Sequence, residues 1–543
     1  MRWRYTIRDQ SPFEESSNCH RLTSSETANT FRWPMRTYNV YGFLLTCTCL
    51  LLILTIIPMS GGSSERVQRS VRSVVETKNN IKYGVICDAG SSGTRLFVYT
   101  LKPLSGGLTN IDTLIHESEP VVKKVTPGLS SFGDKPEQVV EYLTPLLRFA
   151  EEHIPYEQLG ETDLLIFATA GMRLLPEAQK DAIIKNLQNG LKSVTALRVS
   201  DSNIRIIDGA WEGIYSWIAV NYILGRFDKE NDSKVGMIDM GGASVQIAFE
   251  IANEKESYNG GNVYEINLGS IETNEDYKYK IYSTTFLGYG ANEGLKKYEN
   301  SLVKSGNSND SCSPRGLNRL IGEFTVNGTG EWDVCLAQVS SLIGDKAQPS
   351  CPNPTCFLRN VIAPSVNLST VQLYGFSEYW YTTSNFGSGG EYHYQKFTDE
   401  VRKYCQKDWN DIQDGFKRNE FPNADIERLG TNCFKAAWVT SVLHDGFNVD
   451  KTKHLFQSVL KIAGEEMQWA LGAMLYHSKD LKFNLLEQLE VAQSTQQISN
   501  FFSFFVILII VLAVALYRQL QSESTYKKYN FLRTDSKPDF LNV

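Results

Sequence analysis

Histidine is scarce in this chain, with seven in 543 residues, so a histidine-rich zinc site has little to be built from. No Ser-His-Asp set and no thiolate nucleophile stands out. Basic charge is also short: 54 Lys and Arg against 61 Asp and Glu leave a formal net charge of −7. That excludes the electrostatic footprint of a nucleic-acid binder, and no nucleic-acid partner is expected. An anionic substrate would have to be held by local donors and a metal instead of a basic field. No Walker loop is present, because no Gly-Lys-Ser/Thr follows the glycine-rich segments. A strand-like run, not a helix, follows each of them, which rules out a dinucleotide fingerprint. Low-complexity tracts are missing too, apart from a polar, linker-like stretch over 60–80.

What the chain does have is the same short pattern twice. Val85-Ile86-Cys87-Asp88-Ala89-Gly90-Ser91-Ser92-Gly93-Thr94-Arg95 is the first copy, and Met237-Ile238-Asp239-Met240-Gly241-Gly242-Ala243-Ser244-Val245-Gln246 the second. Each is an apolar run, an Asp, small residues, then more strand-like sequence. Glycine lets a turn bring backbone N–H groups close to an anion. An Asp at a strand end can hold a hydrated divalent cation. A single copy reads equally well as an ordinary hairpin. Two copies facing each other would grip a metal-bound phosphate chain from both sides.

Two other segments follow strand-like runs. Thr169-Ala170-Gly171-Met172-Arg173 offers a hydroxyl, backbone N–H groups and a guanidinium to phosphate oxygens, although a strand-turn-helix with a surface Arg gives the same pattern. Gly209-Ala210-Trp211-Glu212-Gly213 opens a helix and places Glu212 near its N-terminus. The bland account of Glu212 is a first-turn carboxylate. The other is a base that positions and deprotonates water for phosphoanhydride hydrolysis.

The ends are apolar. Residues 40–57 and 501–517 are uncharged runs of membrane-spanning length, the second at the short end of the range. The first reads as a retained signal anchor, with a cleaved signal peptide as the alternative. Arg2, Arg4, Arg8, Arg21, Arg32 and Arg36 in the N-tail and Arg518, Lys527, Lys528 and Arg533 in the C-tail put both tails in the cytoplasm; Arg66, Arg69 and Arg72 weaken the asymmetry. The middle would then be lumenal or extracellular. It carries N-x-Ser/Thr sites at Asn231, Asn309, Asn327 and Asn367. Cys312, Cys335, Cys351, Cys356, Cys405 and Cys433 read as disulfides in an oxidising compartment. Cys351 with Cys356 and Cys405 with Cys433 are the preferred pairs, and the connectivity stays open. Cys87 is expected as a buried free thiol. The short second span suits thin early-secretory membranes, which favours Golgi or endoplasmic reticulum.

Strand-like runs at 164–168 and 204–207 alternate with helical spacing over 137–153 and 213–227, which argues for α/β lobes with mixed sheets. A cleft between two such lobes is a natural ligand site. Residues 301–316 read as a surface loop.

In order, 86–95, 168–175, 209–217 and 236–247 resemble the apyrase conserved regions of the ecto-nucleoside triphosphate diphosphohydrolase family. Phe376-Ser377-Glu378-Tyr379-Trp380-Tyr381-Thr382 is similar to a fifth. The resemblance spans roughly 80–480. It implies a two-lobe, actin-like (RNase H-like) α/β ectodomain between two transmembrane helices, and hydrolysis of terminal phosphates from nucleoside di- or triphosphates with Ca²⁺ or Mg²⁺. By motif position, Asp88 and Asp239 would hold the metal through water. Ser91, Ser92, Gly93, Thr94 and Arg95 would form one phosphate loop, and Gly241, Gly242, Ala243 and Ser244 the other. Glu212 would be the base, with Ser244 sharing the attacking water, Gln246 near the metal and Thr169 lining the pocket.

Two departures stand out. Ala291 follows Phe286-Leu287-Gly288-Tyr289-Gly290 where many cell-surface members have Arg. Ala473 replaces Tyr in the late Leu-Gly-x-Met motif. Base stacking then falls to Tyr381, or to Tyr379. These features, with Gly-Arg-Phe at 225–227, look like the intracellular-organelle branch, which implies UDP or GDP as substrate and a Golgi location, with plasma membrane or endoplasmic reticulum as alternatives. The expected division is a cytoplasmic tail (1–39), a membrane helix (40–59), a linker (60–80), lobe one (81–208, with a C-terminal return at 476–495), lobe two (209–475), a membrane helix (500–517) and a cytoplasmic tail (518–543). Competing functions are a cell-surface enzyme acting on ATP and ADP, a sugar kinase of the same fold class, and a non-catalytic nucleotide-binding glycoprotein.

Overall fold

The structure, a computed structural model, describes residues 81–103, 108–227, 234–251, 261–269, 277–343, 356–364, 368–479 and 505–521. The expected span at 40–59 lies outside the described residues, as do Asn231, Asn367 and Cys351. Residues 505–521 are helical, but among the described residues no helix is long and apolar enough to cross a membrane.

Two mixed sheets build the fold. In the first, β1 (Lys82–Ala89) pairs antiparallel with β2 (Thr94–Pro103) and parallel with β5 (Asp163–Ala168). Outward from these lie β3 (Thr109–Thr113), β4 (Val122–Val125) and β6 (Arg198–Ile206), in the order β3-β2-β1-β5-β6 with β4 on β2. The second sheet repeats the centre. Here β7 (Gly236–Met240) pairs antiparallel with β8 (Ser244–Glu250) and parallel with β11 (Leu373–Ser377). Strands β9 (Val263–Asn267) and β10 (Lys278–Leu287) extend one edge, and β12 (Gly390–Glu391) and β13 (Phe456–Ser458) the other.

Val85, Ile86 and Cys87 are fully buried, as are Met237 and Ile238, so each central strand is apolar on both faces. Such a strand needs cover on both sides. Helices α1 (Val139–His153) and α2 (Glu177–Gly190) cover the outer face of the first sheet, their Leu143, Leu147, Ile183 and Leu187 packing on Val85, Cys87 and Ile166. Between the sheets run α3 (Gly209–Ile223) and α6 (Trp469–Ser478), which share one core with Ile86 and Phe97 of the first sheet and Met237 and Ala248 of the second. From Trp469 the chain packs against the first sheet, and most of the expected return at 476–495 lies outside the described residues. Beyond the second sheet, α4 (Glu378–Asn385) and α5 (Ile426–Ser441) join a third core around Trp438, Phe434 and Phe447.

Local differences from expectation have local causes. The helix at 209–223 stops short of Phe227 because Gly225 takes a left-handed φ of 63°. The polar run 301–316 is not simply a loop. Residues up to Ser305 are helical, and Asp310 is fully buried, accepting from the Tyr298 hydroxyl at 2.8 Å and the Arg319 guanidinium at 2.9 Å. Disulfides join Cys312 to Cys335 and Cys405 to Cys433; Cys356 is also disulfide-bonded, and Cys87 is a buried free thiol. Asn309 and Asn327 are exposed and lie side by side in a small parallel pairing.

Candidate active site

The twin hairpins position the chemistry. Asp88 stands opposite Arg95 across the first, and Asp239 opposite Gln246 across the second, so the two Asp occupy equivalent places at the ends of β1 and β7. The turns that follow approach each other closely: a Cβ on Gly242 would sit 2.8 Å from Ser91 Oγ and 2.8 Å from Asn292 Nδ2. A side chain at 242 would have to displace the Ser91 and Asn292 side chains, so glycine there favours the close approach of the two loops.

Asp88 and Asp239 line one cavity of about 350 Å³, with Gly90, Ser91, Ser92, Gly93 and Arg95 on one side and Gly241, Gly242, Ala243 and Ser244 on the other. Oδ1 of each Asp is buried without a hydrogen-bond partner. Two orphaned, buried acceptors suit a divalent cation, which takes oxygen ligands. Among the described residues no group of three or more His, Cys, Asp and Glu could hold a metal ion, so a cation here would keep several waters. Burial pushes the Asp88 carboxyl up to about 7, aided by Glu212 and Asp239 and opposed by Arg95. Burial likewise pushes Asp239 up to about 6, with Glu212 adding and a hydrogen bond from Ser377 opposing.

Glu212 lies in the first turn of α3, whose N-cap Asp208 accepts from Ala210 N–H at 2.7 Å. It is 8% exposed at the cavity wall. Its Oε2 accepts from Arg173 Nη2 at 2.9 Å and Gln246 Nε2 at 3.1 Å; among the described residues Oε1 takes no hydrogen bond. Burial raises the Glu212 carboxyl and Arg173 opposes the rise. Arg173 is itself tied to the Ile207 carbonyl at 3.0 Å and approaches Ser244 Oγ at 3.4 Å. The guanidinium expected to face phosphate oxygens instead orients the carboxylate.

Thr169 lines the cavity as expected. Thr94 and Gln246 do not. Thr94 is fully buried and accepts from the Tyr142 hydroxyl at 3.1 Å, because strand alternation turns it inward. Gln246 sits behind Glu212, donating to Ser244 Oγ at 2.6 Å. Of the two candidate stacking rings, Tyr381 lines the cavity, whereas Tyr379 is core, edge-on to Phe456.

Several cavity residues were not foreseen. Lys124 pairs with Arg95 across β4 and β2, and burial with the neighbouring guanidinium lowers its amine. Asn292 abuts Gly242. Arg428, Glu378, Glu466 and Gln468 complete the wall, with Arg95 Nη1 3.4 Å from Gln468 Oε1 and 3.7 Å from Glu466 Oε1.

A GDA1/CD39 (nucleoside phosphatase) family profile matches residues 74–498. The chain is 48% identical over 435 residues to the nucleoside-diphosphatase mig-23 of Caenorhabditis elegans, spanning 75% of this chain and 79% of that one. It is 34% identical over 542 residues to human ectonucleoside triphosphate diphosphohydrolase 7, spanning 87% and 89%. A nucleoside triphosphate hydrolase structure from Neospora caninum superposes with a TM-score of 0.53 over 78% of this chain and 97% of that one, at 15% identity, a likeness of fold. With its ordered motifs, two mixed-sheet lobes and facing Asp-Gly loops, the chain belongs to the GDA1/CD39 nucleoside phosphatase family.

Proposed function

We infer that the protein is a divalent-metal-dependent nucleoside di- and triphosphatase that removes the terminal phosphate, acting on UDP and GDP in the lumen of the secretory pathway. The observation that carries this reading is the pair of buried, partnerless Oδ1 atoms of Asp88 and Asp239 in one cavity, flanked by two glycine loops and by Glu212. Asp88 and Asp239 would hold Ca²⁺ or Mg²⁺. When bound, that ion supplies charge neutralisation along the phosphate chain and polarises the phosphoryl oxygens.

The chain's own residues do the rest. The segments 90–93 and 241–244 cradle phosphate oxygens with backbone N–H groups and the Ser91, Ser92 and Ser244 hydroxyls, and Arg95 and Lys124 add cationic donors. Glu212 takes a proton from the attacking water at Oε1, because Arg173 and Gln246 occupy Oε2. Arg173 holds that carboxylate in one orientation and opposes the rise that burial imposes on it. Charge spreads over the phosphoryl oxygens in the transition state, so fixed donors contribute most of the acceleration. Tyr381 offers a ring for the base.

Phosphate release from UDP and GDP by the purified full-length protein tests the reading. Turnover should require Ca²⁺ or Mg²⁺ and stop with EDTA. Glu212→Gln should lower kcat by about 10²–10⁴ while nucleotide binding persists. A variant turning over near the wild-type rate would remove Glu212 from its role.

A further inference from the structure

Ser377 combines features that a serine placed only for structure would not show. It ends β11 and stands at the N-cap of α4. Serine is favoured at that position because its side-chain oxygen accepts from backbone N–H groups of the first turn. Here the side chain makes no such cap. The backbone is also where serine rarely sits, at φ 55° and ψ −118°. That is the conformation of the first central residue of a type II′ turn, where glycine is preferred because a Cβ is strained. Backbone strain of this kind gathers at functional sites.

The residue lines the catalytic cavity, and strand register explains its neighbour there. Strand β11 runs parallel to β7, with Phe376 beside Asp239 and Ser377 beside Met240. The end of one strand therefore lies against the end of the other. The Ser377 hydroxyl hydrogen-bonds the Asp239 carboxylate. Oδ1 of that carboxylate is buried without a partner and is left for a ligand.

The first lobe has no counterpart. There β5 runs parallel to β1, with Phe167 beside Asp88 and Ala168 beside Ala89. Register thus puts Ala168 where the second lobe has Ser377. Asp88 keeps the same orphaned Oδ1, but the residue at the matching place has no hydroxyl to offer it.

We propose that Ser377 is a positioning residue for the divalent cation: its hydroxyl fixes the Asp239 carboxylate with Oδ1 aimed into the cavity. A carboxylate free to turn about its last bond loses part of its binding free energy to being ordered. Hydrogen bonds behind a metal-binding carboxylate remove that loss, and deleting one typically weakens metal binding by about 10–100-fold. The site is then asymmetric, its Asp239 half held by a hydroxyl and its Asp88 half without one. The strained backbone and the uncapped helix follow from the same requirement, because they turn the side chain toward Asp239 and away from the first turn of α4. The proposal rests on the reading of this cavity as the cation site of a nucleotide hydrolase.

Ser377→Gly removes the hydroxyl and the strained Cβ together; Ser377→Ala removes the hydroxyl alone. CaCl₂ titrated into the full-length protein at pH 8 without nucleotide, with melting temperature as the readout, needs no turnover. Both variants should require about tenfold more Ca²⁺ than the wild type to reach half of the full increment. Without Ca²⁺ the glycine variant should melt above the alanine variant, since glycine is unstrained at this φ. A structural role alone would make the more stable variant the better Ca²⁺ binder, whereas the two should bind Ca²⁺ equally poorly. Ser377→Gly binding Ca²⁺ as tightly as the wild type overturns the proposal. A wild type with no Ca²⁺ increment overturns the cation reading of the cavity and the proposal with it. A wild type that binds Ca²⁺, weakens on Ser377→Gly and releases no phosphate from UDP overturns the hydrolase reading and leaves the role of Ser377 standing.

Discussion

Asp88 and Asp239 are the residues at which stability and function pull in opposite directions. Both carboxyls titrate well above the ordinary 3.8, Asp88 near 7 and Asp239 near 6, chiefly because they are buried. A carboxyl whose folded pKa is raised binds its proton more tightly when folded. Its stabilising contribution is complete below about 4 and is lost as pH climbs through 6 and 7. Above that range two buried negative charges face each other and Glu212. A divalent cation held by Asp88 and Asp239 would take the place of the missing protons, so its stabilising effect should grow with pH. Melting temperatures with and without millimolar Mg²⁺ or Ca²⁺ should differ more at pH 8 than at pH 5, and Asp239→Asn should abolish most of that difference. An equal increment at both pH values would mean the cation binds elsewhere.

Elements explain which parts of the site were legible in the sequence. The two hairpins were, because Asp, glycines and flanking apolar runs are contiguous, and the strand-turn-strand they specify is local. Glu212 was legible for the same reason, as a carboxylate in the opening turn of a helix. The role of Arg173 is not legible in the sequence because its partner is 39 residues away; nothing near it in sequence shows that it faces a carboxylate. Lys124 and Arg428 reach the cavity only through strand register and helix docking, and Asn292 through the close approach at Gly242. The pairing of α3 with α6 between the sheets was likewise invisible. Gly472 makes that crossing close, since a Cβ there would run into the Tyr215 carbonyl. Gly472→Ala should therefore force the helices apart and cost about 1–3 kcal/mol, the usual penalty of overpacking. Denaturant unfolding should show a lower midpoint with an unchanged slope. A neutral result would mean that the helices slide without loss.

At the scale of the molecule, the proposed placement in the secretory lumen would have to satisfy the second lobe's surface and covalent chemistry together. The disulfides Cys312–Cys335 and Cys405–Cys433 both lie in that lobe, and such bonds persist in oxidising compartments. Asn309 and Asn327, each opening an N-x-Ser/Thr site, are exposed there. Both observations favour the lumenal side for the lobes, while the arginine-rich N-tail and basic C-tail favour the cytoplasm. Tails and lobes on opposite sides would require two crossings, for which 40–59 and 500–517 are the proposed segments. Intact microsomes containing the full-length protein, tagged at both ends, separate the alternatives. Added protease should remove both tags and leave a protected fragment carrying the two lobes. Deglycosylation should shorten that fragment, and Asn327→Gln should do so in part. If the lobes are digested while the vesicles stay sealed, the lumenal placement fails. A protected N-terminal tag would instead mean that the first apolar run does not cross.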